Sequence, residues 1–199
     1  MKVKIKKEGK VETFKLINSW KDVTLETWLK LIDFETGTKT EEATETIAAL
    51  SDIPKKLVKE LALSDVANIM SKVAELQAKQ DTKLKRIIEI NDIEYGFHPD
   101  LDSISLGEYA DIEQFIKNGI DKNLPELMAV LYRPIKEKKN DIYIIDAYDG
   151  DIRLRTEEMK QMSAEQVQSA LRFFFVLGKA LSEILPLYLM EKLKETKTQ

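Results

Sequence analysis

The sequence predicts an α+β protein, mainly α-helical, in which two pseudo-repeated β-hairpin-plus-helices units pack into one body. Glycine and proline are few, with seven and five in 199 residues, which favours helices over a turn-rich β-sandwich. Apolar residues recur at helical spacing through most of the chain, as expected for amphipathic helices. Two alternating apolar runs flank turn residues, a pattern typical of β-hairpins.

The first unit is predicted to open with a hairpin and a helix. Val3 and Ile5 alternate with lysines before Glu8-Gly9, and an apolar run returns after this turn, as a hairpin requires. Thr24 is suited to cap the following helix. The residues after it have helical spacing: Leu25, Trp28, Leu29 and Ile32.

Three further helices are predicted in the first unit. Thr40 is the expected cap of a helix that ends near Leu50, and Pro54 separates it from a helix of one or two turns. Ser64 then opens a longer amphipathic helix, because apolar residues follow it at helical spacing on one stripe. The members of that stripe are Val66, Ile69, Met70, Val73 and Leu76.

The second unit begins with a better-marked hairpin. Isoleucines precede Asn91-Asp92 and an apolar, aromatic run follows it, which is hairpin turn chemistry. Ser105 caps the next helix, and Asn118-Gly119 suits its end. Pro125 fits the first turn of another helix, which we expect to end at Arg133-Pro134.

An inserted hairpin, 141–155, and a long C-terminal helix complete the second unit. Residues 136–140 are expected to form a polar loop before a strand over 142–145. Asp149-Gly150 is the predicted turn, with Ile152 and Leu154 on the returning strand. Ser163 and Gln166 have capping-box spacing, and the helix they start is predicted to run through Leu181, with a kink or restart at Pro186.

An offset of 81 residues aligns the two units, predicted as 1–83 and 84–199. Val23-Thr24-Leu25 falls on Ile104-Ser105-Leu106, and Phe14 falls on Tyr95. The matched positions are a returning strand, a helix cap and a buried stripe, so the offset indicates an internal repeat. The alternative is that any two hairpin–helix units look alike, since such patterns are loosely specified.

Composition and motifs argue against catalysis, cofactors and metals. The chain has no cysteine, so disulfides and thiolate sites are excluded. It contains no glycine-rich phosphate loop. The only histidine, His98, reads as a surface turn residue, and the Asp146, Asp149 and Asp151 spacing does not fit a calcium loop. A net charge of −4 argues against nucleic acid.

The apolar segment after residue 170 is the predicted protein interface. Charged residues and Pro186 interrupt it, which argues against a membrane span. A wide apolar arc is typical of a helix buried centrally or under another subunit. For each phenylalanine taken alone, the pattern favours burial in the chain's own core. For the whole segment to Met190, it favours contact with a partner. The predicted interface residues are Phe173, Phe175, Leu185, Leu187, Tyr188 and Met190.

Three stretches carry a family resemblance: VTLETWLKL from Val23, LMAVLYRPI from Leu127, and FFFVLGK from Phe173. Their order is similar to small proteins from the structural gene modules of tailed bacteriophages, particularly the crAss-like ones. The resemblance implies a non-enzymatic, multi-copy virion protein near the portal vertex or head–tail junction. Its implied partners are other phage structural proteins and copies of itself, with no small-molecule substrate. Its implied location is the virion, and the host cytoplasm during assembly.

Two other functions stay open from the sequence. A tail-assembly chaperone, or another assembly factor absent from the mature particle, would also be an acidic helical binder. A small enzyme with a non-obvious site would need a concave pocket that holds perturbed titratable groups. Arg133 lies on an otherwise apolar segment, where it could cap the preceding helix or form an inter-subunit salt bridge.

Overall fold

The computed structural model describes residues 1–7, 10–34, 38–78 and 83–173. Within these ranges the chain is α+β, in agreement with the predicted fold class. The predicted helix beyond residue 173, with its kink at Pro186, lies outside the described residues.

The first part of the chain forms one hairpin followed by four α-helices. A short 3₁₀ helix, Trp20–Asp22, links the hairpin to the helices. The elements are β1 (Lys2–Lys7), β2 (Lys10–Lys15), α1 (Leu25–Phe34), α2 (Lys39–Leu50), α3 (Lys55–Val58) and α4 (Leu63–Ala78). β1 and β2 pair antiparallel, with Val3 opposite Phe14, as the alternating pattern predicted.

Local hydrogen bonds decide where these helices begin. Thr24 caps α1 as predicted, since its Oγ1 accepts from the Thr27 N–H at 3.2 Å. The predicted cap at Thr40 is wrong, because Thr38 caps α2. Glu41 lies three residues after Thr38, and the two residues exchange hydrogen bonds in a complete capping box. Thr40 cannot form the same box, because the residue three positions after it is Ala43.

The second part of the chain adds a four-stranded antiparallel sheet in the order β3-β4-β5-β6. Another short 3₁₀ helix, Leu101–Ser103, precedes its first α-helix. The strands are β3 (Ile87–Ile90), β4 (Ile93–Phe97), β5 (Tyr132–Lys139) and β6 (Ile142–Ile145). The helices are α5 (Leu106–Lys117), α6 (Leu124–Leu131), α7 (Arg153–Met159) and α8, described over 164–173.

The predicted boundaries around the inserted hairpin are wrong. Residues 136–140 were expected as a loop, but β5 occupies most of them and pairs with β6. The turn is at Asn140, whose φ of 58° lies in the left-handed region, and not at Asp149-Gly150. Ile152 and Leu154 do not return as a strand, because α7 begins at Arg153. Likewise, α6 ends at Leu131, before Arg133-Pro134.

The exposure of β5 explains this error. Its charged half, from Lys136 onward, faces solvent, so the segment has no apolar alternation to mark a strand. The position of β5 is set by its pairing with β4 and not by its own sequence pattern. Tyr132 lies opposite Phe97 and Pro134 opposite Tyr95, and β5 therefore extends the sheet that the β3–β4 hairpin begins.

Two apolar clusters form the core, and each includes a residue from the other part of the chain. The first cluster lies beneath the β1–β2 hairpin and contains Ala164 of α8. The second lies on the four-stranded sheet and contains Leu25 of α1. Trp28 packs against both clusters. The two parts of the chain therefore share their apolar burial, and burial is the main stabilising term in folding.

Gly96 permits a close contact in the sheet. A Cβ at this position would lie 2.6 Å from Cδ2 of Tyr143 and 2.8 Å from Cγ2 of Ile145. The Tyr143 hydroxyl donates to the Phe97 carbonyl at 2.7 Å, which holds its ring over Gly96. The same hydroxyl also lies 3.2 Å from the Arg86 carbonyl, so the ring is held between two backbone acceptors.

We expect Gly96→Ala to lower the free energy of unfolding by about 1–3 kcal/mol, because it overpacks the sheet face. Denaturant unfolding followed by circular dichroism measures the change. Gly107→Ala is the matched control. Its nearest atom would be 3.8 Å away, and in helix α5 the same change should stabilise by about 0.4–1 kcal/mol. Equal effects at the two glycines would contradict this account of Gly96.

Candidate protein-interaction site

The described part of the predicted interface is Phe173. Its ring is half-buried and meets Phe97 edge-to-face, with centroids 5.5 Å apart. It also borders a small cavity of about 200 Å³ next to His98. Phe173 therefore contributes to the chain's own second cluster. The other predicted interface residues lie outside the described residues: Phe175, Leu185, Leu187, Tyr188 and Met190.

A buried polar cluster lies between α5 and the sheet. Nη2 of Arg133 is 2.7 Å from Oε1 of Glu108, and Nε2 of His98 is 3.5 Å from the same oxygen. All three side chains are buried. His98 is therefore not the surface turn residue that the sequence suggested. Arg133 forms an ion pair within the chain, and neither of its predicted roles accounts for this pair.

Each member of this cluster is placed by a defined element. Glu108 is in the first turn of α5, where Ser105 and Glu108 form a capping box. Arg133 lies on β5 opposite Gly96, and His98 directly follows β4. The Ser105–Glu108 spacing is a capping-box signal in the sequence, and it would have indicated that this carboxylate is held in place.

Burial and charge set the ionisation of the cluster. Burial lowers the pKa of His98 below its usual value, against the attraction of Glu108. For Glu108, burial acts to raise the pKa, but hydrogen bonds from Ser105 and the charge of Arg133 outweigh it, and the net pKa is lowered. At neutral pH the cluster is thus an ion pair beside a neutral imidazole. It fixes α5 to the sheet.

The described residues contain no group of three or more metal-ligating side chains placed to hold an ion. An open groove of about 740 Å³ is present in the first part of the chain. It lies between α2, α3 and α4, with the half-buried Leu61 and Val66 in its apolar walls and Leu63 at its rim. Ile47 and Val58 also border it, but their side chains are buried. Leu63 is 87% exposed although it begins an ordered helix.

The corresponding space in the second part of the chain, between α6, α7 and α8, is filled by the start of α1. Leu25 is completely buried there, in one cluster with Met128, Met159 and Val167. Its N–H donates to the Met162 carbonyl at 2.7 Å. In return the Ala164 N–H donates to the Val23 carbonyl, also at 2.7 Å. The two helix starts thus join as a short antiparallel bridge between Thr24 and Ser163.

Other apolar side chains lie exposed on the described surface. Leu106, the first residue of α5, is 84% exposed, and Tyr109 follows it on the same helix face. Ile142 and Ile144 are exposed on β6, which is an edge strand of the sheet. Single exposed apolar residues are ordinary. Contiguous apolar patches and grooves are typical of protein-binding surfaces.

No family model, curated protein or solved structure matches this chain. Among the described residues, no helix is long and apolar enough to cross a membrane.

Replacing Arg133 by methionine should destabilise the fold by about 3–5 kcal/mol, because it leaves the Glu108 carboxylate buried without its cation. Thermal or denaturant unfolding measures the loss. Arg153→Met is the control, since Arg153 pairs with Asp151 on the exposed surface and exposed pairs contribute about 0–1 kcal/mol. A small effect at both arginines would show that the Arg133–Glu108 pair does not hold α5 in place.

Proposed function

We propose that this chain is a non-enzymatic structural protein of a tailed bacteriophage. In this proposal it is present in multiple copies and is located near the portal vertex or head–tail junction. The phage setting comes from the resemblance of the segments at Val23, Leu127 and Phe173. The observation that supports a binding function is the open groove between α2, α3 and α4, together with the exposed start of α5.

Surface chemistry supports binding to proteins. The groove has apolar walls and charged edges, as protein interfaces do in their core and rim. Leu63 and Leu106 are exposed on ordered helix starts, so a partner would meet side chains that are already positioned. Preorganised surfaces lose less entropy on binding than mobile ones.

A repeated plan also fits a protein that assembles, and we infer that the two parts of the chain are such repeats. With the offset of 81 residues, the 3₁₀ helices, the starts of α1 and α5 and the ends of α2 and α6 coincide. The Ile17 N–H donates to the Leu50 carbonyl at 3.0 Å, and the equivalent His98 N–H donates to the Leu131 carbonyl at 2.8 Å.

The helices that follow fit a larger offset of 101 residues, because the β5–β6 hairpin lies between. The Leu61 N–H donates to the Val58 carbonyl at 3.2 Å, and the equivalent Met162 N–H donates to the Met159 carbonyl at 3.0 Å. The turn from α3 to α4 therefore has the same hydrogen bonds as the turn from α7 to α8. Repeated units of this kind stack through similar neighbour contacts.

Mass spectrometry of purified particles of the encoding phage tests the proposed function. A structural protein should be present in the mature virion at a stoichiometry of several copies per particle. An assembly chaperone should instead be abundant in infected-cell lysate and absent from the particle. Detection in lysate with absence from virions would overturn the structural proposal and favour the chaperone.

A further inference from the structure

We infer that the groove between α2, α3 and α4 of one copy receives the start of α5 from a second copy of this chain. The contact would reproduce between copies the junction that α1 makes with α6, α7 and α8 within one chain. The inference deepens the proposed multi-copy function and takes its biological setting from it.

The internal junction supplies the template. Leu25 inserts at the start of α1, and Leu106 is its equivalent at the start of α5. The receiving side also corresponds: Met128 of α6 aligns with Ile47 of α2 by the offset of 81 residues. By the offset of 101 residues, Val167 aligns with Val66. The Val167 N–H donates to the Ser163 carbonyl, and the Val66 N–H donates to the equivalent carbonyl of Ala62.

Each side of this second junction has one exposed leucine at a helix start, although Ile47 on the receiving side is already buried within the chain. Leu25 is 0% exposed, whereas its equivalent Leu106 is 84% exposed. Ala164 is 0% exposed, whereas its equivalent Leu63 is 87% exposed. Burying an exposed leucine side chain is favourable, so bringing the two surfaces together would bury Leu106 and Leu63 as Leu25 and Ala164 are buried in the first junction.

Backbone groups equivalent to those of the internal junction are present on both surfaces. In the internal junction the Leu25 N–H, free of the helix at its first position, donates to the carbonyl of Met162. The equivalent pair is the Leu106 N–H and the carbonyl of Leu61. Leu61 ends the same hydrogen-bonded turn as Met162, so its carbonyl follows the same local geometry.

Charge favours a copy of this chain as the occupant. Residues 100–113, which include the start of α5, contain no lysine or arginine and five carboxylates. One of the five, Glu108, is buried and paired with Arg133, so it does not contribute to the surface charge. The groove is lined by Lys39, Lys55 and Lys59 against Glu41 and Glu45. An acidic helix start therefore meets an edge in which lysine is in excess, an arrangement that promotes association.

The inferred contact joins two different surfaces and runs head-to-tail from copy to copy. Such heterologous contacts build rings when the rotation closes and filaments when it does not. Each copy would bind one neighbour through α5 and another through its groove. A two-fold dimer in which each copy inserts α5 into the other's groove would also use both surfaces, but it would stop at two copies.

Light scattering coupled to size-exclusion chromatography of the full chain, over a dilution series, tests the inference. The wild-type chain should elute as multimers of the 22.9 kDa chain. Leu106→Asp and Leu63→Asp should each elute as monomers with unchanged circular dichroism, since both side chains are exposed in one copy. Leu154→Asp is the matched control, because Leu154 is 83% exposed on α7 and should leave the multimers intact.

A mixture of the two monomeric variants gives the sharpest result. Leu106→Asp keeps its groove and Leu63→Asp keeps its α5, so the mixture should form a one-to-one dimer and nothing larger. A monomeric wild type, as when residues 174–199 of the same chain cover the groove, would overturn the inference. Multimers that persist in Leu106→Asp, as when the C-terminal segment drives association, would overturn it too. Neither result decides whether the chain is in the virion, which the particle measurement tests separately.

Discussion

The junction between the start of α1 and the start of α8 is the contact on which the rest of the structure depends. Two reciprocal backbone hydrogen bonds, from Leu25 to Met162 and from Ala164 to Val23, join segments about 140 residues apart. Closing such a long loop costs conformational entropy, and the complete burial of Leu25 and Ala164 offsets it. Because Leu25 lies in one apolar cluster and Ala164 in the other, this junction makes the two clusters one core.

The buried ion pair has a different consequence, which concerns what the surface displays. Glu108 is held by Ser105 on one side and by Arg133 of the sheet on the other. Because these bonds fix the first turn of α5, the helix start presents Leu106 to solvent in a defined direction. A buried ion pair contributes little net stability compared with an apolar substitute. In this chain the ion pair holds the start of α5 in position, and the start of α5 is the surface that we infer to bind a second copy.

Much of the fold follows from local sequence signals, and the errors have physical causes. Ser105, Asn91-Asp92 and the Ser163–Gln166 box are read correctly because each acts through neighbours a few residues away. β5 was missed because its position depends on pairing with β4, far earlier in the chain. His98 was misjudged for the same reason: its burial comes from α5 and the sheet. The groove could not be predicted at all, since it is a space that three helices leave open, and the predicted interface residues after Phe173 lie outside the described residues.

The absence of cysteine allows the central claim to be tested by engineered cross-linking. Antiparallel bridge partners lie at Cα separations that a disulfide can span, and Ala62 with Ser105 is the pair equivalent to Ser163 with Thr24. Under oxidising conditions, the double variant Ala62→Cys, Ser105→Cys should form a ladder of covalent multimers on a denaturing gel. The double variant Thr24→Cys, Ser163→Cys should cross-link within one chain and run as a monomer. A ladder from the first pair alone is what the account predicts. A first pair that stays monomeric, while Ser105→Cys alone still elutes as multimers under reducing conditions and so keeps α5 in place, would contradict it.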